Sequence, residues 1–316
     1  MSEEGCSMNR WLIAAGSTLL MLAGCTSSPE SAANVCAADI GVGEVQPFAM
    51  PTPSRTEGIT FDEAGNLFVS ALVDDENDDD QLLEVMLDGT NDVAAEAESI
   101  LGLASHPTGI IAAGIRTGDV LLIDPATGLS DVIAHVGDEP NFVVTTPWGT
   151  ILVSDDGKVD EDTYRDTIRE VTFEGVVSVW VEGVPAPNGM VFSLDESTLY
   201  VASTFSAGAG LWRVPVSEDG SAGTPEKWVD FGGLITADGL AIDSVGNVYV
   251  ALNLPGQIAQ VTPDGSYTII AQGVDTTASI AFGRGEFDPC SLYSTSLFGD
   301  PPQLWRVGIG IPGPEQ

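Results

Sequence analysis

The sequence predicts an all-β chain closed into a six-bladed β-propeller and preceded by a lipoprotein-type signal peptide. Three observations carry the propeller. First, a polar head, a short alternating apolar run, a turn and a second run rich in Val, Tyr, Phe and Leu recur as EGITFDEAGNLFVS from Glu57, NFVVTTPWGTILVSD from Asn141, NGMVFSLDESTLYVAS from Asn188 and DGLAIDSVGNVYVA from Asp238. Each unit reads as two strands joined by a tight turn. Second, weaker copies at Thr108 (TGIIAAGIRTGDVLLID) and Ser279 (SIAFGRGEFDPCSLYSTSL) bring the heads to six, at the roughly 35 to 50-residue interval of four-stranded blades. Third, 36 Gly and 19 Pro with strand signals throughout and no sustained helical period fit a turn-rich all-β chain. One ring of 316 residues is preferred to two domains, because a propeller is a single closed unit at this size.

In chain order, residues 1–24 read as a processing signal. Trp11 to Ala23 is apolar, short for a bilayer span and ends in small residues, as signal peptides do. Leu22, Ala23, Gly24 and Cys25 resemble the lipobox of bacterial lipoproteins, in which the Cys becomes the lipidated first residue. Glu3 and Glu4 against a single Arg10 depart from the usual positive start, and initiation at Met8 repairs this. The alternative is an ordinary cleaved signal with a chance Cys. Either version exports the protein: anchored in the bacterial cell envelope through Cys25, its only expected membrane contact, or secreted. Residues 25–38 follow as a polar tether and 39–316 as the propeller.

With Cys6 removed and Cys25 acylated, Cys36 and Cys290 remain of the four cysteines. One precedes the first blade and the other lies in the last, so a bridge would tie the chain where the ring closes. An oxidising compartment permits it, and the chain-entropy model gives on the order of 4 to 5 kcal/mol as an upper figure. Two free buried thiols are the alternative.

Two acidic runs, Asp74 to Asp80 and Asp155 to Asp162, could hold calcium, but neither has the EF-hand spacing and solvated loops are favoured. The outer strands are legible as GLWRVPVS, GQIAQVTPDGSYTII, TIREVTFEGVVSVWV and QLWRVGIG. Trp180, Trp212, Trp228 and Trp305 sit in strands of this kind and are expected to pack between blades. The net charge of −37, with Lys158 and Lys227 the only lysines, argues against nucleic acid or an anionic bilayer as partner and for solubility in an exported or salt-exposed setting.

The chemistry follows from the repeat. Innermost strands of a propeller run in one direction along the channel, so their heads emerge together around the axis. Glu57, Asn141, Asn188 and Asp238 would then offer two carboxylates and two amide oxygens, hard donors suited to Ca2+ or another divalent cation. Without a cation the acids would repel. Gly58, Gly189 and Gly239 leave room for strands to crowd the axis. A single Asn-Gly or Asp-Gly pair is only a turn signal; the pattern lies in the four heads together.

Over about residues 45 to 309, most specifically in TEGITFDEAGNLFVS, APNGMVFSLDESTLYVAST, ADGLAIDSVGNVYVA and TTASIAFG, the chain resembles the senescence marker protein (regucalcin), gluconolactonase and luciferin-regenerating enzyme family of six-bladed propellers. The resemblance implies a divalent metal on Glu57, Asn141, Asn188 and Asp238, and hydrolysis of a small lactone or ester with Asp238 as general base or nucleophile. The sequence departs from sugar-lactone hydrolases of the family at Glu139, where they carry a substrate-holding Arg. Phe142 and Trp148 suggest a more apolar mouth, suited to a hydrophobic lactone or ester. His106, beside the head of blade 2, is a second candidate for proton transfer, and His135 is expected to be structural. Two readings remain: an envelope-anchored, calcium-dependent lactone or ester hydrolase, or a non-catalytic binding propeller with a structural metal at its hub, since fold alone does not fix activity.

Overall fold

Runs such as LFVSAL and VYVAL are buried on both faces, which is what a strand sandwiched between two other sheets requires. The computed structural model describes residues 36, 40–51, 55–73, 78–137, 139–157, 159, 163, 165–232, 235–299 and 303–315. The signal peptide, the lipobox with Cys25 and most of the 25–38 tether lie outside them. The strands form six four-stranded antiparallel sheets. The last sheet is completed by the first strand, β1 (Val45–Ala49).

Blade 1 is β2 (Arg55–Phe61), β3 (Leu67–Leu72), β4 (Asp80–Val85) and β5 (Asn91–Ala97). Blade 2 is β6 (Leu103–His106), β7 (Gly109–Gly114), β8 (Asp119–Asp124) and β9 (Leu129–His135). Blade 3 is β10 (Pro140–Thr145), β11 (Ile151–Asp155), β12 (Thr167–Val171) and β13 (Val177–Glu182). Blade 4 is β14 (Pro187–Phe192), β15 (Thr198–Ser203), β16 (Gly210–Pro215) and β17 (Glu226–Val229). Blade 5 is β18 (Ala237–Ile242), β19 (Val248–Leu252), β20 (Gln257–Val261) and β21 (Tyr267–Gln272). Blade 6 is β22 (Thr277–Phe282), β23 (Ser291–Ser296) and β24 (Leu304–Gly308), with β1 outermost on β24.

The innermost strands touch in a ring, β2, β6, β10, β14, β18, β22 and back to β2. The core is accordingly divided into six clusters, one in each gap between neighbouring sheets. Strand alternation feeds two gaps at once: Leu67, Val69 and Ala71 face blade 6, whereas Phe68 faces blade 2. Trp180, Trp212, Trp228 and Trp305 pack against these gaps as expected.

The seam between blades 6 and 1 is closed three ways. β1 pairs with β24, Cys36 is disulfide-bonded to Cys290, and Phe48, Phe61, Phe287 and Tyr293 pack edge to face with centroids 5.0 to 6.0 Å apart, a favoured aromatic geometry. In blade 2 the structure corrects the sequence reading. Thr108 does not head the inner strand; it lies in the turn between β6 and β7, and the apolar run after it builds β7 and β8. The inner strand β6 is only four residues long and carries too little alternation to be recognised.

Candidate functional site

The heads enter the channel by one local device. In β2, β10, β14, β18 and β22 the register skips at the head, so that two residues oppose one on the next strand. Residues 57–58, 141–142, 188–189, 238–239 and 278–279 thereby leave the ladder as β-bulges, which re-aim side chains. Second-strand hydroxyls take up three of the freed amides: Gly58 N–H donates to Ser70 Oγ (2.7 Å), Phe142 N–H to Ser154 Oγ (3.1 Å) and Ser279 N–H to Thr295 Oγ1 (2.9 Å). The Thr295 hydroxyl also donates to the Glu57 carbonyl (2.6 Å), tying blade 6 to blade 1 at the hub. A Cβ at Gly58 would overlap the Leu101 carbonyl, and one at Gly189 the Asp238 carbonyl, so the ring closes this tightly only with glycine there.

Glu57, Asn141, Asn188 and Asp238 are all buried, each at most 7% exposed. They are also electrostatically joined. Burial, then the Asp156 carboxylate, pushes Glu57 up to about 8 against an opposing pull from Arg55. Burial, then Glu57 and Asp156, raises Asp238 well above the carboxylate range, although hydrogen bonds from Asn253 and Asn188 oppose the rise. The Asn253 Nδ2 lies 3.4 Å from Asp238 Oδ2. Asp156 is raised to about 6 by burial, with Asp155 and Glu139 adding to it and a hydrogen bond from Asn141 opposing. The hub therefore gathers three carboxyl groups and three amides, all buried except the half-buried Asp156, an arrangement that charge repulsion makes unfavourable when all three carboxyls ionise.

Does a divalent cation fit this donor set? Asn188 Oδ1 is buried with no hydrogen-bond partner, whereas buried polar oxygens are otherwise almost always satisfied. Among the described residues no three His, Cys, Asp or Glu side chains form a cage by themselves. The available donors are carboxylates mixed with amide oxygens, which is the chemistry of hard cations rather than of zinc. The residues fit a calcium-like ion.

Two of these groups were not foreseen. Asp156 sits in the acidic run that reads as a solvated loop; its neighbour Asp155 does serve structure, pairing with Arg165 (3.3 Å) and accepting from the Gly157 N–H (3.0 Å). Asn253 follows β19 without any motif of its own, and only its placement after a strand end facing a head could have signalled it. In the other acidic run, Asp80 is buried and accepts from the Val73 and Ile100 amides, so it holds a loop.

Other sequence-predicted residues lie elsewhere. His106 ends β6 at the hairpin turn, where it pairs with Gly109, at the opposite end of the inner strand from the heads. There it bonds Thr108 Oγ1 (2.8 Å) and packs at a tilt against Phe173, away from the hub. Trp148 is likewise at a turn of that far face, with its Nε1–H donating to Glu170 (2.7 Å) and its ring against Trp180. Phe142 packs into the gap between blades 3 and 4. Neither lines the mouth. His135 stands on the outermost strand of blade 2 with Nδ1 2.9 Å from Asp119.

Fold and hub together define a six-bladed propeller with a cluster of carboxyl and amide side chains at one end of its channel. Residues 55–297 match the SMP-30/Gluconolactonase/LRE-like region, and the chain belongs to that family. It is 27% identical over 223 residues to a pentonolactonase of Haloferax volcanii, covering 67% of this chain and 72% of that protein. It is 25% identical over 185 residues to a gluconolactonase of Zymomonas mobilis, covering 52% and 51% respectively. Among solved structures it is similar to regucalcin of Agrobacterium tumefaciens, a calcium-binding protein, with a TM-score of 0.67, 22% identity and coverage of 85% of this chain and 95% of that one.

Proposed function

We propose that the protein hydrolyses a small lactone or ester at its hub, with Glu57, Asn141, Asn188 and Asp238 holding a divalent cation, calcium by donor chemistry. The observation that carries this reading is the orphaned Asn188 Oδ1 facing a hub of raised, mutually repelling carboxyls. Relatives named for lactone hydrolysis support the reaction class. A divalent cation held by these residues would supply Lewis-acid polarisation of the acyl carbonyl and would lower the pKa of an attacking water. Asp238 takes the proton of the attacking water on a carboxylate oxygen, while the Asn188 and Asn253 amides fix its orientation. The water oxygen bonds to the acyl carbon, the acyl C–O bond breaks, and the proton held by Asp238 passes to the leaving alkoxide. The bulges and their Ser and Thr braces keep the donors in place before substrate arrives.

A panel of lactones and aryl esters, assayed with calcium and with chelator on the wild type and on Asp238→Asn, tests this. Calcium-dependent turnover that Asp238→Asn abolishes is the expected result. Glu139, in place of a substrate-holding Arg, favours the second reading, a non-catalytic binder. A chelator that lowers Tm with no substrate turned over would establish that reading instead. We further infer export and envelope anchoring through Cys25; incorporation of labelled palmitate in a lipoprotein-processing host, lost in Cys25→Ala, is the expected outcome, and unlabelled wild type would refute it.

A further inference from the structure

β15, β19 and β23 end beside the heads, because Ser203 pairs with Pro187, Leu252 with Ala237 and Ser296 with Thr277. The loops that follow therefore lie on the hub face. Two residues beyond those pairing positions stand Phe205, Leu254 and Phe298, at the same register position in blades 4, 5 and 6, and they are 59%, 62% and 60% exposed. Single exposed apolar residues are ordinary, but an aligned set is not scatter. In blades 1 and 3 the corresponding positions are Val73, partly buried, and Gly157. That half of the rim instead carries the exposed Glu139 and the partly exposed Asp156.

Each of the three is tied to the hub through its backbone or its neighbour. Leu254 follows Asn253, which bonds Asp238, and its own N–H donates to Thr236 Oγ1 (3.0 Å). Phe205 follows Thr204, whose hydroxyl donates to the Ala237 carbonyl. Phe298 N–H donates to Thr276 Oγ1 (2.9 Å). Phe205 also has φ 54°, a left-handed backbone that costs energy for an aromatic residue and that proteins keep mainly at functional positions. The apolar arc is thus continuous with the hub, confined to one side of it, and faced by acids across the mouth.

We propose that Phe205, Leu254 and Phe298 receive a hydrophobic substituent of the substrate, so that alkyl- or aryl-bearing lactones and esters are preferred to polyhydroxylated ones. The inference rests on the hydrolase reading above. A bilayer is the less fitting occupant, because acidic residues share the face and the net charge is −37.

The test is kcat/KM for γ-lactones with alkyl chains of increasing length, beside a sugar lactone, on the wild type, on the combined Phe205→Ser, Leu254→Ser, Phe298→Ser variant and on Val245→Ser, an exposed control at a turn of the far face. The wild type and the control should gain about two- to fourfold per methylene over the first few carbons, and the combined variant should lose most of that slope. A flat chain-length profile, or a sugar lactone preferred by the wild type, overturns the proposal while leaving the hydrolase reading intact. If no lactone or ester turns over, the hydrolase reading fails, and calorimetric binding of the same alkyl lactones then decides the arc. Affinity rising with chain length and lost in the combined variant supports it; absence of binding refutes it. Loss of binding to neutral phosphatidylcholine vesicles in the combined variant, with its chain-length slope unchanged, would make the arc a bilayer surface and overturn the proposal.

Discussion

The two faces of this propeller treat the same side chain in opposite ways. On the turn face, Asp195, Asp219 and Asp264 each sit in a hairpin loop, accept hydrogen bonds from a Ser or Thr hydroxyl and a backbone N–H, and are held below the usual carboxylate range by them. On the hub face, Glu57 and Asp238 are buried, Asp156 is partly buried, and all three are raised with one another's charge among the causes. Turn-face carboxylates are finished interactions whose role is to close a hairpin. The hub carboxyls repel one another despite the hydrogen bonds from Asn141, Asn188 and Asn253, and on the proposed reading a cation would offset that repulsion. Acidity as such, even at a net charge of −37, says nothing about a site until hydrogen bonding separates the two classes.

The largest expected break in this contrast comes from Asp238→Asn. Turnover should fall by about 10³-fold or more, the range of a lost general base compounded by a weakened cation site. In chelator the same variant should melt above wild type, because one repelling carboxyl is gone. A lower Tm in chelator would contradict the account of the hub.

Opening the seam should act the other way round. Replacing Cys36 and Cys290 by Ser removes a bond spanning 254 residues and should lower stability by up to about 4 to 5 kcal/mol. Calcium affinity measured well below Tm should be retained, since no head residue is touched. Denaturant unfolding and calcium titration of the double variant check both halves.

Smaller but diagnostic is the pH dependence in chelator. Glu57 titrates near 4.5 when unfolded and at about 8 when folded, so the native state holds an extra proton between those values. Its stabilisation is fully present below about 4.5 and is lost as pH rises through about 8. Calcium should flatten this alkaline slope by replacing the proton. A turn-face group such as Asp264, lowered from 3.8, contributes in the reverse sense: present above 3.8 and lost as pH falls through its folded value. Tm measured from pH 3 to 9 with and without calcium separates the two. The smallest effect is expected from Asp264→Ala, a Tm change of a degree or two at either calcium level.

Much of this contrast was legible in the sequence because the repeat is carried by strand alternation and a polar head, both local patterns. That pattern put Glu57, Asn141, Asn188 and Asp238 at the heads of inner strands, whereas the pairing of Cys36 with Cys290 followed from setting aside Cys6 and Cys25 and from where the ring closes. Blade 2 was misread because β6 spans four residues and its neighbour β7 imitates a first strand; His106 was misplaced with it, to the wrong end of the channel. Asp156 was hidden for a different reason. It directly follows Asp155, and only the way the chain leaves β11 decides which carboxylate turns to Arg165 and which to the hub. Trp148 and Phe142 were assigned to the mouth by adjacency to Asn141, but the bulge and the hairpin carry them into a blade gap and to the far face. The apolar residues that do border the mouth, Phe205, Leu254 and Phe298, follow second strands, where no motif marks them until the registers of three blades are aligned.

The central claim is that one cation completes the hub. Isothermal titration of calcium into chelator-stripped protein tests it most directly. The account predicts a single site per chain, weakened at least about 100-fold by Glu57→Gln and by Asp238→Asn. Absence of calcium binding, or binding that both substitutions leave unchanged, would contradict it.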